Sequence, residues 1–232
     1  MNVMNFKYLC QQYNLGRFQS AAELTSGTVS QVWKLGTEVG RYLVRTLRDR
    51  EQGEREWKLF RHLRDRGFAA MPAIVVPVLE QGGVWYQVQE YVEGTMPDPA
   101  LPGLASALAD MAKGLSRALP EGMIHGDLGL WNLLLCADGR LMVIDFGEAC
   151  PGDSLFDAAT LFAAIINHTA PEGRQAVCGA FLRELDCDRA RLLEQVHSWA
   201  EQGKRRWAGV NEAMTARFDH ALSWAKEHIY EL

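Results

Sequence analysis

Two stretches decide the fold: Ile124-His-Gly-Asp-Leu-Gly-Leu-Trp-Asn-Leu133 and Leu141-Met-Val-Ile-Asp-Phe-Gly147. Between them, apolar runs at 133–136 and 141–144 flank Ala137-Asp138-Gly139-Arg140. Asp-Gly between two such runs is a strong β-hairpin signal, because both residues tolerate the positive φ of a tight turn. If Asp138 and Gly139 form a two-residue turn, Asn132 falls opposite Asp145. Side chains so paired on one face lie roughly 5 Å apart. An amide oxygen and a carboxylate then converge, and hard oxygen donors of this kind suit Mg²⁺, which keeps waters and takes phosphate oxygens as well. Asp127 lies in the loop leading into the hairpin. A carboxylate beside a metal–phosphate site can orient a hydroxyl and take its proton. His125, at the end of the preceding strand, holds the loop by hydrogen bonds in this reading, and Gly126 and Gly129 permit its sharp turns.

Working towards the N-terminus, the pattern from Leu24 to about Val92 is mostly strand. Residues 30–35 and 41–47 alternate, joined through Gly36 to Gly40, and 74–78 and 84–91 are further strands separated by Gly82-Gly83. Between them, Glu51 to Arg66 changes period: Trp57, Phe60 and Leu63 recur at three-residue spacing among charges, which predicts an amphipathic helix ended by Gly67. Residues 93–103 are polar with three prolines and predict an extended connection. Beyond it, helices are expected at 104–119, 154–167, 171–185, 188–202 and 211–231. The fold class is α+β, with a small sheet-rich lobe over residues 1–92, a linker over 93–103, and a helical lobe over 104–232 that carries the hairpin. A ligand is expected in the cleft between two such lobes.

The residues H-G-D-L-G-L-W-N-L-L and V-I-D-F-G resemble the catalytic and metal-binding motifs of the aminoglycoside phosphotransferase family. That family includes choline, homoserine and related small-molecule kinases and has the protein-kinase-like fold. The likeness runs from Leu24 to about Phe162 and weakens in the C-terminal helices. It implies ATP and Mg²⁺ as cofactors, Asp127 as catalytic base, and Asn132 and Asp145 as metal ligands. It further implies a nucleotide loop in which Ser26, Gly27 and Thr28 offer backbone N–H groups to phosphates. A glutamate on helix 51–66 would pair with the phosphate-binding cation; Glu56 matches best and Glu54 is the alternative. The backbone at Glu90 and Val92 would bond the adenine edge, and Asp157 would tie the catalytic loop.

One position departs from the family pattern. Arg45, in Tyr42-Leu-Val-Arg-Thr-Leu47, stands where the family has lysine. A forked guanidinium does not simply replace a compact ammonium. Two readings follow: a phosphotransferase acting on a hydroxyl of a small molecule, or a nucleotide-binding, pseudokinase-like protein that has lost transfer. A protein substrate is disfavoured, because there is no Arg-Asp pair in the catalytic loop and no long activation segment with Ala-Pro-Glu.

Bulk properties agree. The chain has 232 residues, 48% hydrophobic and 23% charged, with a net charge of −5. That gives no electrostatic case for a nucleic acid or an anionic membrane as partner. No apolar run approaches the roughly 18 residues of a membrane span, and residues 1–20 lack the pattern of a signal peptide. The five cysteines are scattered without a C-x-x-C pair, which argues for reduced thiols over disulfides or zinc. A cytoplasmic enzyme is expected, with a small-molecule acceptor and no obligate protein partner. Lys204-Arg-Arg206 reads as a solvated helix face. Glu194, Glu201, Glu212 and Asp219 are the candidates for an acidic acceptor pocket, interspersed with Lys204, Arg205, Arg206 and Arg217.

Overall fold

The computed structural model describes residues 4–24 and 30–232. The chain divides into two compact units, Met1–Glu93 and Gly94–Leu232. The expected nucleotide-loop residues Ser26, Gly27 and Thr28 lie outside the described residues.

The first unit is a five-stranded antiparallel sheet of β1 (Phe18–Leu24), β2 (Val32–Thr37), β3 (Arg41–Leu47), β4 (Ile74–Gln81) and β5 (Val84–Glu90), in the order β1-β2-β3-β5-β4. Its helices are α1 (Phe6–Gln12) and α2 (Arg50–Asp65). Strand alternation sorts the side chains. Leu35, Val44, Tyr86 and Val88 form one buried cluster with Leu9 and Cys10 of α1 and with Leu15. Arg45 and Gln87 are cross-strand partners on the other face. β4 is an edge strand with register shifts on either side of Val76, where Pro77 cannot donate to a ladder.

Two elements were not legible beforehand. α1 has only seven residues, and the five central residues of β1 are exposed, so neither shows a hydrophobic period. α2 is close to its expected span. Asp49 caps it, accepting from the Gln52 N–H at 2.7 Å, and its buried stripe is Gly53, Glu56, Phe60 and Leu63. A charged residue thus sits in the stripe that faces the sheet.

In the second unit, α3 (Leu104–Ala118), α4 (Leu155–His168), α5 (Pro171–Leu185), α6 (Arg189–Trp207) and α7 (Glu212–His228) match the expected helices closely. Every residue of α4 from Phe156 to Ile166 is buried. A helix apolar on all sides is the centre of its bundle, and α4 packs against α5, α6, α7 and α3. Short strands β6 (Met123–Ile124) and β9 (Cys150–Pro151) pair with each other, as do β7 (Leu133–Leu135) and β8 (Leu141–Val143). Residues 93–103 are not merely extended. Thr95 exchanges both backbone hydrogen bonds with Leu135, at 3.1 and 2.8 Å, and Pro97 and Pro99 are buried.

The hairpin register corrects the sequence reading. Leu133 faces Val143, and the Cys136 N–H bonds the Arg140 carbonyl at 2.9 Å, so the loop holds three residues, 137–139, rather than two. Gly139 takes the left-handed position, at φ 82°, that such a loop requires. Asn132 therefore lies opposite Ile144, whose N–H it accepts at 2.9 Å, and Asp145 falls one residue further on.

Gly53 sets how closely α2 approaches the sheet. A Cβ there would lie 2.5 Å from Val78 Cγ2, 2.7 Å from Leu47 Cδ1 and 2.8 Å from the Pro77 carbonyl oxygen. Gly53→Val should lower stability by about 1–3 kcal/mol, despite valine's better helix propensity, because three neighbours must move. A fall in the urea unfolding midpoint at unchanged slope checks this.

Candidate active site

The loop between β6 and β7 is built from backbone amides and one carboxylate. Asp157, in the first turn of α4, accepts from the His125 N–H at 2.7 Å and from the Gly126 N–H at 2.9 Å. Gly126 has φ +84°, and a Cβ there would lie 2.4 Å from the Glu148 carbonyl oxygen, so only glycine lets the chain turn at this point. The His125 ring is fully buried. Its Nδ1 accepts from the Asp127 N–H at 3.3 Å, which leaves Nε2 as the donor to the Ile144 carbonyl at 3.1 Å. Burial pulls this imidazole down to about 4, partly offset by the Ile144 hydrogen bond and the Asp145 charge, so the ring is neutral at pH 7. The ring also packs on Phe146 at 4.6 Å, tying the first motif to the second. His125 is a structural strut and not a base.

Asp127 and Asn132 meet. Asn132 Nδ2 donates to the Asp127 carbonyl at 2.8 Å and to Asp127 Oδ2 at 2.9 Å, which turns its own Oδ1 away from the pair. Trp131 Nε1 donates to the same Oδ2 at 3.2 Å. With Oδ2 holding two donors, Oδ1 is the freer oxygen of the carboxylate. Burial raises the Asp127 pKa, while the Trp131 and Asn132 hydrogen bonds and the Arg206 charge act against that rise. Asp145 is exposed, with a left-handed backbone at φ 58° that breaks strand alternation there. Its side chain accepts from the Gly147 N–H at 3.4 Å.

Two contributors were missed by sequence reasoning. Trp131 is 43% exposed, and its ring lies over Gly129, where a Cβ would come within 2.3 Å of the indole. Its place in the motif, directly before Asn132, was the available signal. Arg206 was read as part of a solvated face, yet its charge reaches Asp127. Lys204 is engaged, bonding Glu201 at 2.6 Å and Asp219 at 3.1 Å. Lys204 thereby offsets one of the two negative charges of Glu201 and Asp219.

In the first unit Arg45, 8% exposed, forms an ion pair with Glu56, 4% exposed. Gln52 Nε2 donates to the other Glu56 oxygen at 2.9 Å, and Arg45 Nε donates to Gln87 Oε1 at 3.1 Å. Glu54, the alternative partner, instead pairs with Arg50 at 2.7 Å. Glu90 ends β5, with its N–H bound to the Ala73 carbonyl at 2.8 Å, and Val92 follows just beyond the strand. Among the described residues, no cluster of three or more His, Cys, Asp or Glu could hold a metal alone, and no helix is long and apolar enough to cross a membrane.

The family model for the phosphotransferase enzyme family matches residues 20–121 and 97–193. The chain belongs to this family and is a small-molecule kinase that phosphorylates an alcohol group. Its architecture is the kinase-like one of solved aminoglycoside phosphotransferases. A thermostable mutant of aminoglycoside phosphotransferase APH(4)-Ia, in complex with ADP and hygromycin B, superposes with a TM-score of 0.69 at 16% identity, over 96% of this chain and 98% of that one. The AMP complex of spectinomycin phosphotransferase APH(9)-Ia gives 0.69 at 10% identity, over 96% and 97%. An aminoglycoside phosphotransferase from Alicyclobacillus acidocaldarius gives 0.65 at 12%, over 93% of each. The search of curated proteins found no match.

Asp157 makes the loop sensitive to pH. Burial raises its carboxyl to about 6, against the lowering by the two amide hydrogen bonds. A carboxyl with a higher pKa in the folded state binds its proton more tightly there. The stability it contributes is complete below the ordinary aspartate range and is lost as pH rises through about 6. Asp157→Asn removes this titration and turns an NH₂ group towards an amide donor. The stability advantage of the wild type over Asp157→Asn should therefore shrink by about 3 kcal/mol between about pH 4 and pH 7, as read from urea midpoints.

Proposed function

We propose that this kinase transfers the γ-phosphate of ATP, with Mg²⁺, to a hydroxyl of a small molecule, and that Asp127 is the base. The observation that carries this reading is the Asp127 carboxylate itself. It is partly desolvated, with Oδ2 held by Trp131 and Asn132, so that Oδ1 is left to accept the acceptor's hydrogen bond and proton. Orienting the hydroxyl is the larger contribution, because the transition state of phosphoryl transfer needs little deprotonation.

The donor chemistry of Asn132 and Asp145 fits Mg²⁺. The Asn132 amide is turned so that its oxygen faces away from Asp127, and Asp145 adds an exposed carboxylate next to Ile144, which bonds the Asn132 backbone. Two protein oxygens, completed by waters and nucleotide phosphates, are the usual provision for this ion. When bound, Mg²⁺ supplies neutralisation of phosphate charge. In the first unit, the Arg45–Glu56 pair supports a phosphate contact from the guanidinium, oriented by a buried carboxylate as a lysine would be. Ser26, Gly27 and Thr28 are assigned to the phosphates from sequence alone. The Glu90 N–H is committed to Ala73, so the adenine edge falls to the Glu90 carbonyl and the Val92 N–H.

Two of the structural relatives named above were solved with ligands, one with ADP and hygromycin B and the other with AMP. They favour a polyhydroxylated acceptor and an adenine nucleotide here. Lys204 offsets one of the two charges of Glu201 and Asp219, so sugars and amino alcohols stand beside aminoglycosides as candidate acceptors. The protein acts as a cytoplasmic enzyme that needs no nucleic acid, membrane or obligate protein partner.

ADP release should be followed with a panel of aminoglycosides, sugars and amino alcohols. Asp127→Ala should lower turnover by roughly 10²–10⁴-fold on any acceptor that works, and tight nucleotide binding without turnover across the panel would overturn the reading. Asn132→Ala and Asp145→Ala should each raise the Mg²⁺ concentration for half-maximal rate. Trp131→Phe keeps the ring over Gly129 but removes one donor to Asp127. It should lower kcat by about tenfold, the worth of one charge-assisted hydrogen bond, and leave the KM for ATP unchanged.

A further inference from the structure

The Arg45–Glu56 pair is one end of a line of side-chain hydrogen bonds that runs along β5 to the residue before Glu90. Arginine can only donate, so the Gln87 atom 3.1 Å from Arg45 Nε is its oxygen, Oε1. The Gln87 nitrogen is then the atom that donates to the Pro77 carbonyl, at 3.4 Å. Gln87 Oε1 has a second neighbour, the Gln89 amide, at 2.6 Å. Facing an acceptor, that atom must be the donor Nε2, and the other end of the Gln89 amide is its oxygen.

Gln89 is only 9% exposed. Among the described residues its Oε1 accepts no hydrogen bond. Yet it is not sealed off, since among those residues the one fully enclosed side-chain polar atom without a partner is Thr169 Oγ1. Gln87 is the cross-strand partner of Arg45, and Gln89 lies two residues on, so all three share a face of the sheet. A buried acceptor, locked in orientation and unused by the protein, sits at the end of the strand that leads into Glu90 and Val92.

We propose that Gln89 makes this site select adenine over guanine nucleotides. The inference rests on the reading that Glu90 and Val92 hold the base edge. Adenine's 6-amino group has two N–H bonds, one for the Glu90 carbonyl and one for Gln89 Oε1. Guanine in the same place turns a 6-oxo acceptor towards both of these oxygens and its N1–H towards the Val92 N–H. The Gln89 amide cannot turn over to meet it, because its oxygen would then face Gln87 Oε1. Gln87 cannot turn over either, because Arg45 Nε has no acceptor form. Mismatched buried polar groups discriminate more strongly than shape does.

Calorimetric titration with MgADP and MgGDP tests this without knowledge of the acceptor. On the unaltered protein ADP should bind at least about 30-fold more tightly, the worth of one gained and one mismatched hydrogen bond. Gln89→Met, close in volume, should reduce the ADP-to-GDP ratio by about tenfold or more. Equal binding of the two nucleotides, or a ratio unchanged in Gln89→Met, would overturn the inference while leaving the nucleotide site standing. Failure of both nucleotides to bind would overturn the nucleotide site itself, and the inference with it. Should Gln89→Met fail to fold, N6-methyl-ADP on the unaltered protein decides. With one N–H lost it should bind about tenfold more weakly than ADP, and equal affinity would overturn the role of Gln89.

Discussion

The second unit depends on the Asp157 carboxylate receiving two consecutive amides, those of His125 and Gly126. A carboxylate inside a helical core is costly unless donors surround it, and here the donors are the backbone of the loop between β6 and β7. The cost of burial fixes the loop, because moving it would strand the charge. The His125 ring carries the constraint onward, through its two nitrogens, to the Asp127 N–H and the Ile144 carbonyl. One aspartate on α4 thereby holds both motifs. It does so without touching any group assigned to the chemistry.

The first unit has its own version of this arrangement. Arg45 and Glu56 are both buried, and their attraction offsets desolvation better because each side chain has a further hydrogen-bond partner. Gln52 supports the glutamate and Gln87 supports the arginine. An ammonium carries no counterpart of Nε, so the link into β5 belongs to arginine. The arginine that sets this chain apart from the family pattern thus makes a contact with Gln87 that a lysine would not make in the same way. Gly53 belongs to the same design, since a side chain there would hold α2 away from the sheet and Glu56 away from Arg45.

How far the site could be read beforehand differed with the range of the interaction. The helices of the second unit were legible because their periods are long, and the pairing of Arg45 with Glu56 followed from matching motifs. The hairpin was recognised from Asp138-Gly139 but placed one residue out of register. Two-residue and three-residue loops are both compatible with that dipeptide, and the choice depends on whether Gly139 alone, or both residues, takes positive φ. α1 and β1 left no trace, because a seven-residue helix and an exposed strand have no apolar rhythm to detect. For Trp131 the only signal in the sequence is its place directly before Asn132, and for Arg206 nothing local distinguishes an arginine whose charge reaches Asp127 from a solvated one.

By itself, the sequence determined the class of the fold and the two motifs proposed to carry the reaction, since alternation, helical period and the motifs around the hairpin are all short-range patterns. The tertiary structure alone decided which atoms of those residues are engaged. It turned the Asn132 amide towards Asp127, loaded Asp127 Oδ2 with two donors, made His125 a neutral strut, and aligned Gln87 and Gln89 from Arg45. The physical reason is that a donor or acceptor acquires direction only from its partner, and in each of these cases the partner comes from another turn, strand or helix.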